Sequence, residues 1–385
     1  MRMGVILRAA LWVSSALVTV ASFSSIAEEE AKETVLRSAQ VEFCDRIQYA
    51  GIAVREPRHH VWGCSPVKDD KGKYHLFGAR FGNPFKNAWR SDSHIVHYVS
   101  DTPQGRFRFS EVVYRGERKR AGQWNYFGIH NPTIKKVDGK YVLFFIANSN
   151  KGKKSIPGNQ SIGVITADSP NGPWSEPKQI LTPSEDPGHW TYQAGNGVCN
   201  PAFVKMPNGK YHLYYKSSKC RYGVAIADKV MGPYIHYREP VTRNDRVIED
   251  GYAFLWRGKV CLITTDNHGT IQRGGGLVWK SENGLAFASP TRAYYVLDRH
   301  VSQEEYPRTH GAKGKRIKRY SKIVRPQILM EDGRPAWLYA PSTGCYAGRE
   351  YTDCLVYKVV TDEEVAKAKS RPSKSSRDAE GKGSR

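Results

Sequence analysis

The stretch that decides the fold is residues 128–147, GIHNPTIKKVDGKYVLFFIA. It opens at Asn131-Pro132, turns at Asp138-Gly139 and returns as the apolar run 141–145. An Asp-Gly pair between apolar runs is a strong short-range signal for a β-hairpin. The stretch therefore predicts two antiparallel strands joined by a tight turn.

The same pattern occurs four more times along the chain. These copies open at Ser65, Asn200, Asp250 and Arg325, and they turn at Gly72, Gly209, Gly258 and Gly333. In all five copies the opening residue stands seven to nine positions before the turn glycine. One hairpin in every roughly 50 to 75 residues is typical of a β-propeller. We therefore predict an all-β fold, a five-bladed β-propeller.

A second landmark gives the number of strands in a blade. Four of the hairpins are followed by a further strand and a polar turn that closes with a glycine and an aromatic residue: Phe107, Trp174, Tyr234 and Phe287. Each unit then holds four antiparallel strands, and we expect the aromatic residue to pack between neighbouring blades. The fifth unit lacks this turn. We expect residues 41–54 to supply its outer strand and close the ring, which removes open sheet edges.

The ends of the chain differ from the repeats. Residues 1–27 have a basic start, a short apolar segment and small residues before Glu28, as in a secretory signal peptide. We expect a secreted or periplasmic protein with no membrane span. Residues 28–362 would form the propeller domain, and residues 363–385 a short helix and a disordered basic tail.

The formal net charge is +22. Basic runs lie at Arg115–Arg120, Lys151–Lys154 and Lys313–Lys322. Either the surface is generally basic, or the charge attracts an anionic partner such as a sulfated or uronate-bearing polysaccharide. Nucleic acid also suits the charge, but the export signal and the absence of a nucleic-acid-binding motif argue against it.

The chain has seven cysteines, all after residue 27. Export permits disulfides, and Cys345 with Cys354 is the best pair because they flank a predicted hairpin. Cys199 and Cys220 are a second candidate pair, whereas Cys64 is expected to be a buried thiol, as is Cys261. The odd number leaves at least one cysteine unpaired. No C-x-x-C or H-E-x-x-H pattern supports a zinc site.

The innermost strand of each blade begins at the funnel where propellers bind ligands. The register therefore predicts that five strand entrances converge on one pocket although they are far apart in sequence. The residues concerned are Ser65, His130, Asn131, Asn200, Glu249, Asp250 and Arg325. The alternative is that the short polar residues only cap the strand entrances.

Glu249 and Asp250 are the only carboxylates at these entrances. Glycoside hydrolysis usually requires two carboxyl groups, of which one donates a proton, and a closed pocket favours a donor with a raised pKa. We assign Glu249 as the proton donor, and Asp250 as a residue that orients a sugar hydroxyl or acts as the partner base. Adjacent strand residues point to opposite faces, so both can serve only if the backbone bulges.

Four further residues are candidates near the rim. Asp266 and His268 follow the second strand of the fourth blade and are candidate base or binding residues; the alternative is a polar turn. Asp92 precedes a strand of the first blade and would reach the pocket rim. Trp124 precedes an inner strand and would stack on a sugar ring, although packing under loops is equally common.

These motifs resemble those of the five-bladed glycoside hydrolases of families 43 and 117. The resemblance rests on the Asn/Asp-Pro entrance followed by Gly-Lys-Tyr, on the turn that ends in Gly-Pro-aromatic, on residues 247–252 (VIEDGY) and on Arg325-Pro326-Gln327. These features span roughly residues 60–345. The resemblance implies cleavage of a glycosidic bond in a poly- or oligosaccharide, anionic or algal among them, and identifies Glu249 with the acid glutamate of many relatives.

The sequence departs from the family pattern at three entrances, where Ser65, Asn131 and Asn200 stand in place of expected acids. The base would then come from another position, such as Asp266, Asp92 or a histidine. The resemblance to family 117 implies a histidine as the acid, and the candidates are His130, His268, His300 and His310. Alternatively, the propeller binds carbohydrate without cleaving it, or binds peptides. We expect no cofactor. Related propellers often hold a cation on the axis, but the sequence shows no ligand set for one.

Overall fold

The computed structural model describes residues 41–83, 85–119, 122–150, 160–302, 304–305, 322–346 and 349–370. Its strands form five four-stranded antiparallel sheets, which confirms the predicted fold class. The predicted signal peptide, the basic run Lys151–Lys154, His310 and the tail after Ser370 lie outside the described residues.

Each sheet is one blade, and in blades 1 to 4 the first strand in sequence is innermost. Blade 1 contains β2 (His60–Lys68), β3 (Tyr74–Phe81), β4 (His94–Ser100) and β5 (Arg108–Tyr114). Blade 2 contains β6 (Ile129–Val137), β7 (Lys140–Asn148), β8 (Gln160–Ala167) and β9 (Lys178–Leu181). Blade 3 contains β10 (Cys199–Lys205), β11 (Tyr211–Lys216), β12 (Tyr222–Ala227) and β13 (Ile235–His236). Blade 4 contains β14 (Ile248–Trp256), β15 (Lys259–Asp266), β16 (Gly276–Ser281) and β17 (Thr291–Tyr294).

Blade 5 joins the two ends of the ring. It contains β18 (Gln327–Glu331), β19 (Arg334–Tyr346) and β20 (Arg349–Val359), with β1 (Ile47–Val54) paired to β20 as the outermost strand. The prediction that residues 41–54 complete the fifth blade is confirmed. The N-terminal strand and the C-terminal hairpin thus hydrogen-bond to each other and close the ring.

Helices are few and short. The described part of the chain contains α1 (Phe85–Ser91) and α2 (Asp362–Ser370), together with 3₁₀ helices at Phe43–Arg46, Ser218–Cys220 and Leu297–Arg299. None of the helices described has the length and apolar character that crossing a bilayer requires.

The aromatic residues that close the polar turns pack against the preceding blade. Each ring meets the edge or face of an aromatic ring there at an interplanar angle of 80° to 86°. The pairs are Phe107 with Tyr339, Trp174 with Phe77, Tyr234 with Phe144, and Phe287 with Tyr214. Edge-to-face contacts of this kind stabilise packing beyond the buried area alone, and they confirm the predicted role between blades.

The predicted disulfides are wrong for the described residues. Cys199, Cys220 and Cys354 are free thiols. The hairpin of β19 and β20 places Cys345 opposite Glu350 and Cys354 opposite Pro341, so the two cysteines are out of register with each other. Cys354 instead lies beside the buried Cys64 of blade 1, which is also a free thiol.

A kink at the start of the inner strand recurs in all five blades. In blades 1 to 4 the pairing with the second strand shifts at this point, as in a β-bulge. One residue of each kink has a positive φ: Gly63 (62°), Asn131 (51°), Asn200 (54°), Asp250 (61°) and Arg325 (41°). We call these five residues the second ring. The residues just before them, Trp62, His130, Cys199, Glu249 and Val324, form the first ring.

The position of the kink in blade 1 shows that the register predicted for this blade from the sequence is wrong. Ser65 pairs with Phe77 just as Thr133 pairs with Phe144, so Ser65 is equivalent to Thr133. The residue of blade 1 that corresponds to Asn131 is therefore Gly63. Ser65 is fully buried, and its Oγ accepts a hydrogen bond from the Ile134 amide (3.0 Å). It joins blades 1 and 2 and does not line the pocket.

Candidate active site

A pocket of about 330 Å³ opens at the kinked ends of the inner strands. All five residues of the first ring and three of the second ring line it, so each blade contributes at least one residue. The lining residues are Trp62, Phe81, Trp89, His130, Asn131, Ile146, Gln160, Cys199, Asn200, Lys216, Glu249, Asp250, Asn267, Lys322 and Val324. The volume is within the usual range for small-molecule sites, about 300 to 1,000 Å³.

The bulge in β14 brings two adjacent carboxylates to the same pocket. The pairing with β15 shifts between Glu249 and Tyr252, and Asp250 has a φ of 61°. In a regular strand the two side chains would point to opposite faces. Here both Glu249 and Asp250 line the pocket, and their surroundings differ.

Glu249 is held by two donors. The ammonium of Lys216 donates to one carboxylate oxygen, and Asn267 Nδ2 donates to the other at 2.5 Å. Burial opposes the charge of Lys216, but the neighbouring Cys199 and Glu249 outweigh burial and raise the lysine pKa. Both carboxylate oxygens of Glu249 therefore have a hydrogen-bond donor. About a third of the Glu249 side chain remains exposed to the pocket (33%).

Asp250 has an environment that favours its protonated form. Burial, followed by the nearby charge of Glu249, raises the pKa of Asp250 to about 6. The cation of Arg325 opposes this shift, with Nη1 3.9 Å from Asp250 Oδ1, and Thr265 Oγ1 donates to Oδ2 at 3.4 Å. The pocket therefore contains a carboxyl group, Asp250, that exchanges its proton near neutral pH.

Amide and imidazole groups from blades 2 and 3 also line the pocket. Asn131 Nδ2 donates to Asn200 Oδ1 at 2.7 Å, while Asn131 Oδ1 is buried without a hydrogen-bond partner in the described part of the chain. Burial, followed by the charges of Arg325 and Arg90, lowers the pKa of His130 to about 3, so its imidazole is neutral at physiological pH. These groups can hydrogen-bond hydroxyls but add no charge.

Three aromatic side chains form an apolar part of the wall. Trp62, Phe81 and Trp89 line the pocket, and the Trp89 ring stands edge-on to His130 with centroids 4.9 Å apart. Flat aromatic surfaces beside hydrogen-bonding groups suit sugar rings, which have apolar faces and polar edges.

Asp266 and His268 do not line the pocket. Asp266 is fully buried, and its carboxylate accepts hydrogen bonds from the four backbone amides of residues 269–272, at 2.8 to 2.9 Å. It shapes the loop after β15 and has no oxygen directed at the pocket. His268 is exposed. The residue between them, Asn267, is the one that reaches Glu249.

Asp92 and Trp124 are also outside the pocket. The Asp92 side chain is 66% exposed and pairs with Arg118 on the surface. Trp124 stacks on Phe145 at an interplanar angle of 15° and covers Gly163 in the middle of blade 2. Its ring belongs to the packing between strands, which was the alternative considered for it.

The contact between Trp124 and Gly163 predicts a specific loss of stability. A Cβ atom at position 163 would lie 2.4 Å from Phe145 and 2.7 Å from Trp124. We expect Gly163→Ala to lower the free energy of unfolding by about 1 to 3 kcal/mol, as overpacking does. The measurement is denaturant unfolding. The control is Gly195→Ala, where a Cβ meets nothing within 4 Å; equal stability of the two variants would contradict the packing described.

Arg325 lies beneath the pocket and not in its wall. The side chain is fully buried, and Nη2 donates to Asn131 O at 2.9 Å. It passes so close to Gly63 that a Cβ there would lie 3.0 Å from Arg325 Cδ and Nε. The glycine in blade 1 thus makes room for the arginine of blade 5.

The sequence reasoning missed Lys216, Asn267 and Gln160. Lys216 ends the second strand of blade 3, Asn267 follows the second strand of blade 4, and Gln160 begins the third strand of blade 2. All three lie outward of the inner-strand entrances on which the prediction was based. Asn267 could have been found, because it lies between two residues that were singled out. Lys216 gives no local signal, since its function depends on contact between blades 3 and 4.

A sequence model of a known family matches part of the chain. Residues 71–198 match the model of glycosyl hydrolases family 43. No curated protein sequence matches the chain.

Solved structures share the fold over most of the chain. A family 117 glycoside hydrolase from the marine bacterium Zobellia galactanivorans has a TM-score of 0.59 at 17% identity, covering 81% of this chain and 89% of its own. A Bacillus subtilis arabinanase has a TM-score of 0.52 at 11% identity, with 80% and 96% covered. A family 43 β-xylosidase/α-arabinofuranosidase from a compost metagenome, solved with xylotriose in a calcium-free form, has a TM-score of 0.53 at 15% identity, with 81% and 94% covered.

At these identities the structures establish a shared fold, while the family match adds evidence from sequence. The resemblance predicted from the sequence is therefore confirmed: the chain is a five-bladed β-propeller similar to the glycoside hydrolases of families 43 and 117, and the family model that it matches supports the predicted class of glycosidase.

Proposed function

We propose that the protein is an exported glycoside hydrolase that cleaves a glycosidic bond in a poly- or oligosaccharide, with Asp250 and Glu249 as its two catalytic carboxyl groups. The observation that carries the proposal is the bulge in β14, which directs both side chains into one pocket. Two carboxyl groups beside the scissile bond are what most glycosidases use.

The environments of the two groups support a division of roles that reverses the sequence-based assignment. Lys216 and Asn267 donate to both oxygens of Glu249, so each oxygen already accepts a hydrogen bond from the protein. The raised pKa of Asp250, about 6, suits a general acid. Asp250 is thus the proton donor, and Glu249 is the partner base.

The steps follow from these roles. As the bond to the sugar breaks, Asp250 transfers its proton to the departing glycosidic oxygen, and the sugar carbon acquires positive charge. The Glu249 carboxylate stabilises that charge and accepts a proton from the water that attacks the carbon. Asn131 and Asn200 hold hydroxyl groups of the sugar, and the apolar wall excludes bulk water.

The charge of the protein supports an anionic substrate. Lys322 lines the pocket in addition to the ion pair of Lys216 with Glu249, and the whole chain has a formal charge of +22. Such a field raises the local concentration of anions and speeds their encounter with the protein. We therefore propose a uronate-bearing or sulfated glycan as the substrate.

A second candidate function is carbohydrate binding without cleavage. The observation that favours it is the composition of the second ring, in which Gly63, Asn131, Asn200 and Arg325 leave Asp250 as the single carboxylate. The same amides and aromatic rings would then serve as a binding surface alone.

A panel of neutral, uronate-bearing and sulfated glycans tests the proposal. We expect the wild type to release product from at least one glycan, and Glu249→Gln to lose about 10²- to 10⁴-fold in rate while binding remains measurable. The control is Glu282→Gln, because Glu282 lies in the same blade on the exposed surface and pairs with Lys259. Binding by the wild type without release of product would support the second function and contradict the first.

A further inference from the structure

Two cationic side chains cross the centre of the propeller beneath the pocket. Arg325 starts in blade 5, runs past Gly63 of blade 1 and donates from Nη2 to Asn131 O (2.9 Å) and Thr133 Oγ1 (3.3 Å) in blade 2. A side chain that links these blades must pass through the middle of the ring.

Lys135 crosses the ring at a second level. It lies on β6, four residues after Asn131, which corresponds to roughly 13 Å along a strand. Its Nζ donates to Ala253 O of blade 4 at 2.5 Å, and it stands over the rings of Tyr252 (4.7 Å) and Phe203 (5.8 Å) in blades 4 and 3. A lysine of blade 2 can reach blade 4 only across the axis.

We infer that the axis of this propeller carries two protein cations, the Arg325 guanidinium and the Lys135 ammonium, in place of a metal ion. Two of the carbonyl groups that face the axis, Asn131 O and Ala253 O, already accept bonds from these side chains. In the described part of the chain no three His, Cys, Asp or Glu side chains are grouped to hold a metal.

The surroundings of both side chains oppose an added cation. Arg325 is fully buried, and Nε and Nη1 find no acceptor within hydrogen-bonding distance among the described residues, although Asp250 lies 3.9 Å from Nη1. A divalent ion placed beside them would meet like charge and donor groups, whereas Ca²⁺ requires six to eight oxygen ligands. The aromatic faces below favour an ammonium, since they attract cations that make few hydrogen bonds.

Metal analysis gives the first test. Burial lowers the pKa of Lys135 to about 7, so the measurements are made just below that pH. We expect the purified protein to hold no stoichiometric metal, and Ca²⁺ or EDTA to leave its Tm unchanged. A divalent ion located on the axis by anomalous diffraction would overturn the inference.

Replacing the lysine gives the second test. We expect Lys135→Ala to lower Tm by several degrees and Lys136→Ala to change it little, because Lys136 is the next residue and pairs with the exposed Asp70. Propylammonium should restore part of the loss in Lys135→Ala alone, and propanol should not. If Lys135→Ala does not fold, Lys135→Met is used instead, because methionine keeps the length of the side chain. Lys135→Met must then lower Tm by more than Lys136→Met does. The inference would be contradicted if the substitutions at positions 135 and 136 lowered Tm equally, or if propanol restored Tm as well as propylammonium does.

Discussion

Asp250→Asn is expected to reduce the rate of glycan cleavage by about 10²- to 10⁴-fold, the contribution that a positioned general acid usually makes. The amide cannot donate the proton that the departing oxygen needs. The substitution preserves size, and asparagine tolerates a positive φ. Asn131 and Asn200 adopt that conformation at the equivalent positions of blades 2 and 3. The loss would therefore report on chemistry and not on folding.

Substrates with different leaving groups distinguish a general acid from a residue that only binds the substrate. On an aryl glycoside whose departing phenolate needs no proton, Asp250→Asn should lose far less activity than on the natural glycan. The wild-type rate should fall as pH rises through about 6, because Asp250 then loses its proton. Asp245→Asn, an exposed aspartate of the same connection, is the control. Equal losses on both substrates would contradict the role of Asp250 as proton donor.

Acid is expected to unfold the propeller through histidines that are buried or half-buried. Burial is the main cause that lowers the pKa of five of them: His97 and His130 to about 3, and His94, His212 and His300 to about 4. In the unfolded chain histidine titrates near 6.5. Stability is therefore complete above about pH 6.5 and decreases as pH falls towards about 4, because only the unfolded chain binds the protons.

In that range each of these histidines lowers the free energy of unfolding by up to about 1.4 kcal/mol for every unit by which the pH falls. Since domains are stable by only about 5 to 15 kcal/mol, we expect a large loss of stability by about pH 5. The measurement is urea unfolding at a series of pH values. His97→Gln should reduce the slope of the unfolding free energy against pH by one proton, and His268→Gln, at an exposed position, should not. Glutamine at position 97 retains a hydrogen-bond partner for the buried His75, which lies 2.8 Å from His97 in the wild type. A slope that is the same for wild type and His97→Gln would contradict this assignment.

The blades could be predicted because their signals are local. A turn such as Asp138-Gly139 and a closing aromatic such as Trp174 are fixed by neighbours in sequence, and five copies reinforce one another. The register of blade 1 could not be predicted, because its kink lies at Gly63, two residues before the polar Ser65. Glycine permits the kink and leaves space for Arg325, but nothing nearby in sequence marks it.

The candidate site was predicted only in part, for a related reason. Glu249 and Asp250 stand at a strand entrance, so the repeat located them, and the bulge that the prediction required is present. The side chains that contact them come from elsewhere: Lys216 from blade 3 and Arg325 from blade 5. Contacts between blades depend on the closed ring, which a sequence pattern does not describe.

The most direct measurement is the titration of Asp250 itself, which needs no knowledge of the substrate. In protein labelled with ¹³C at the aspartate carboxyl carbon, the NMR signal that disappears in Asp250→Asn identifies the residue. We expect this signal to titrate at about pH 6, and at a lower pH when Glu249→Gln removes the neighbouring charge. A midpoint near 4, as for an ordinary aspartate, that is unaffected by Glu249→Gln would contradict it.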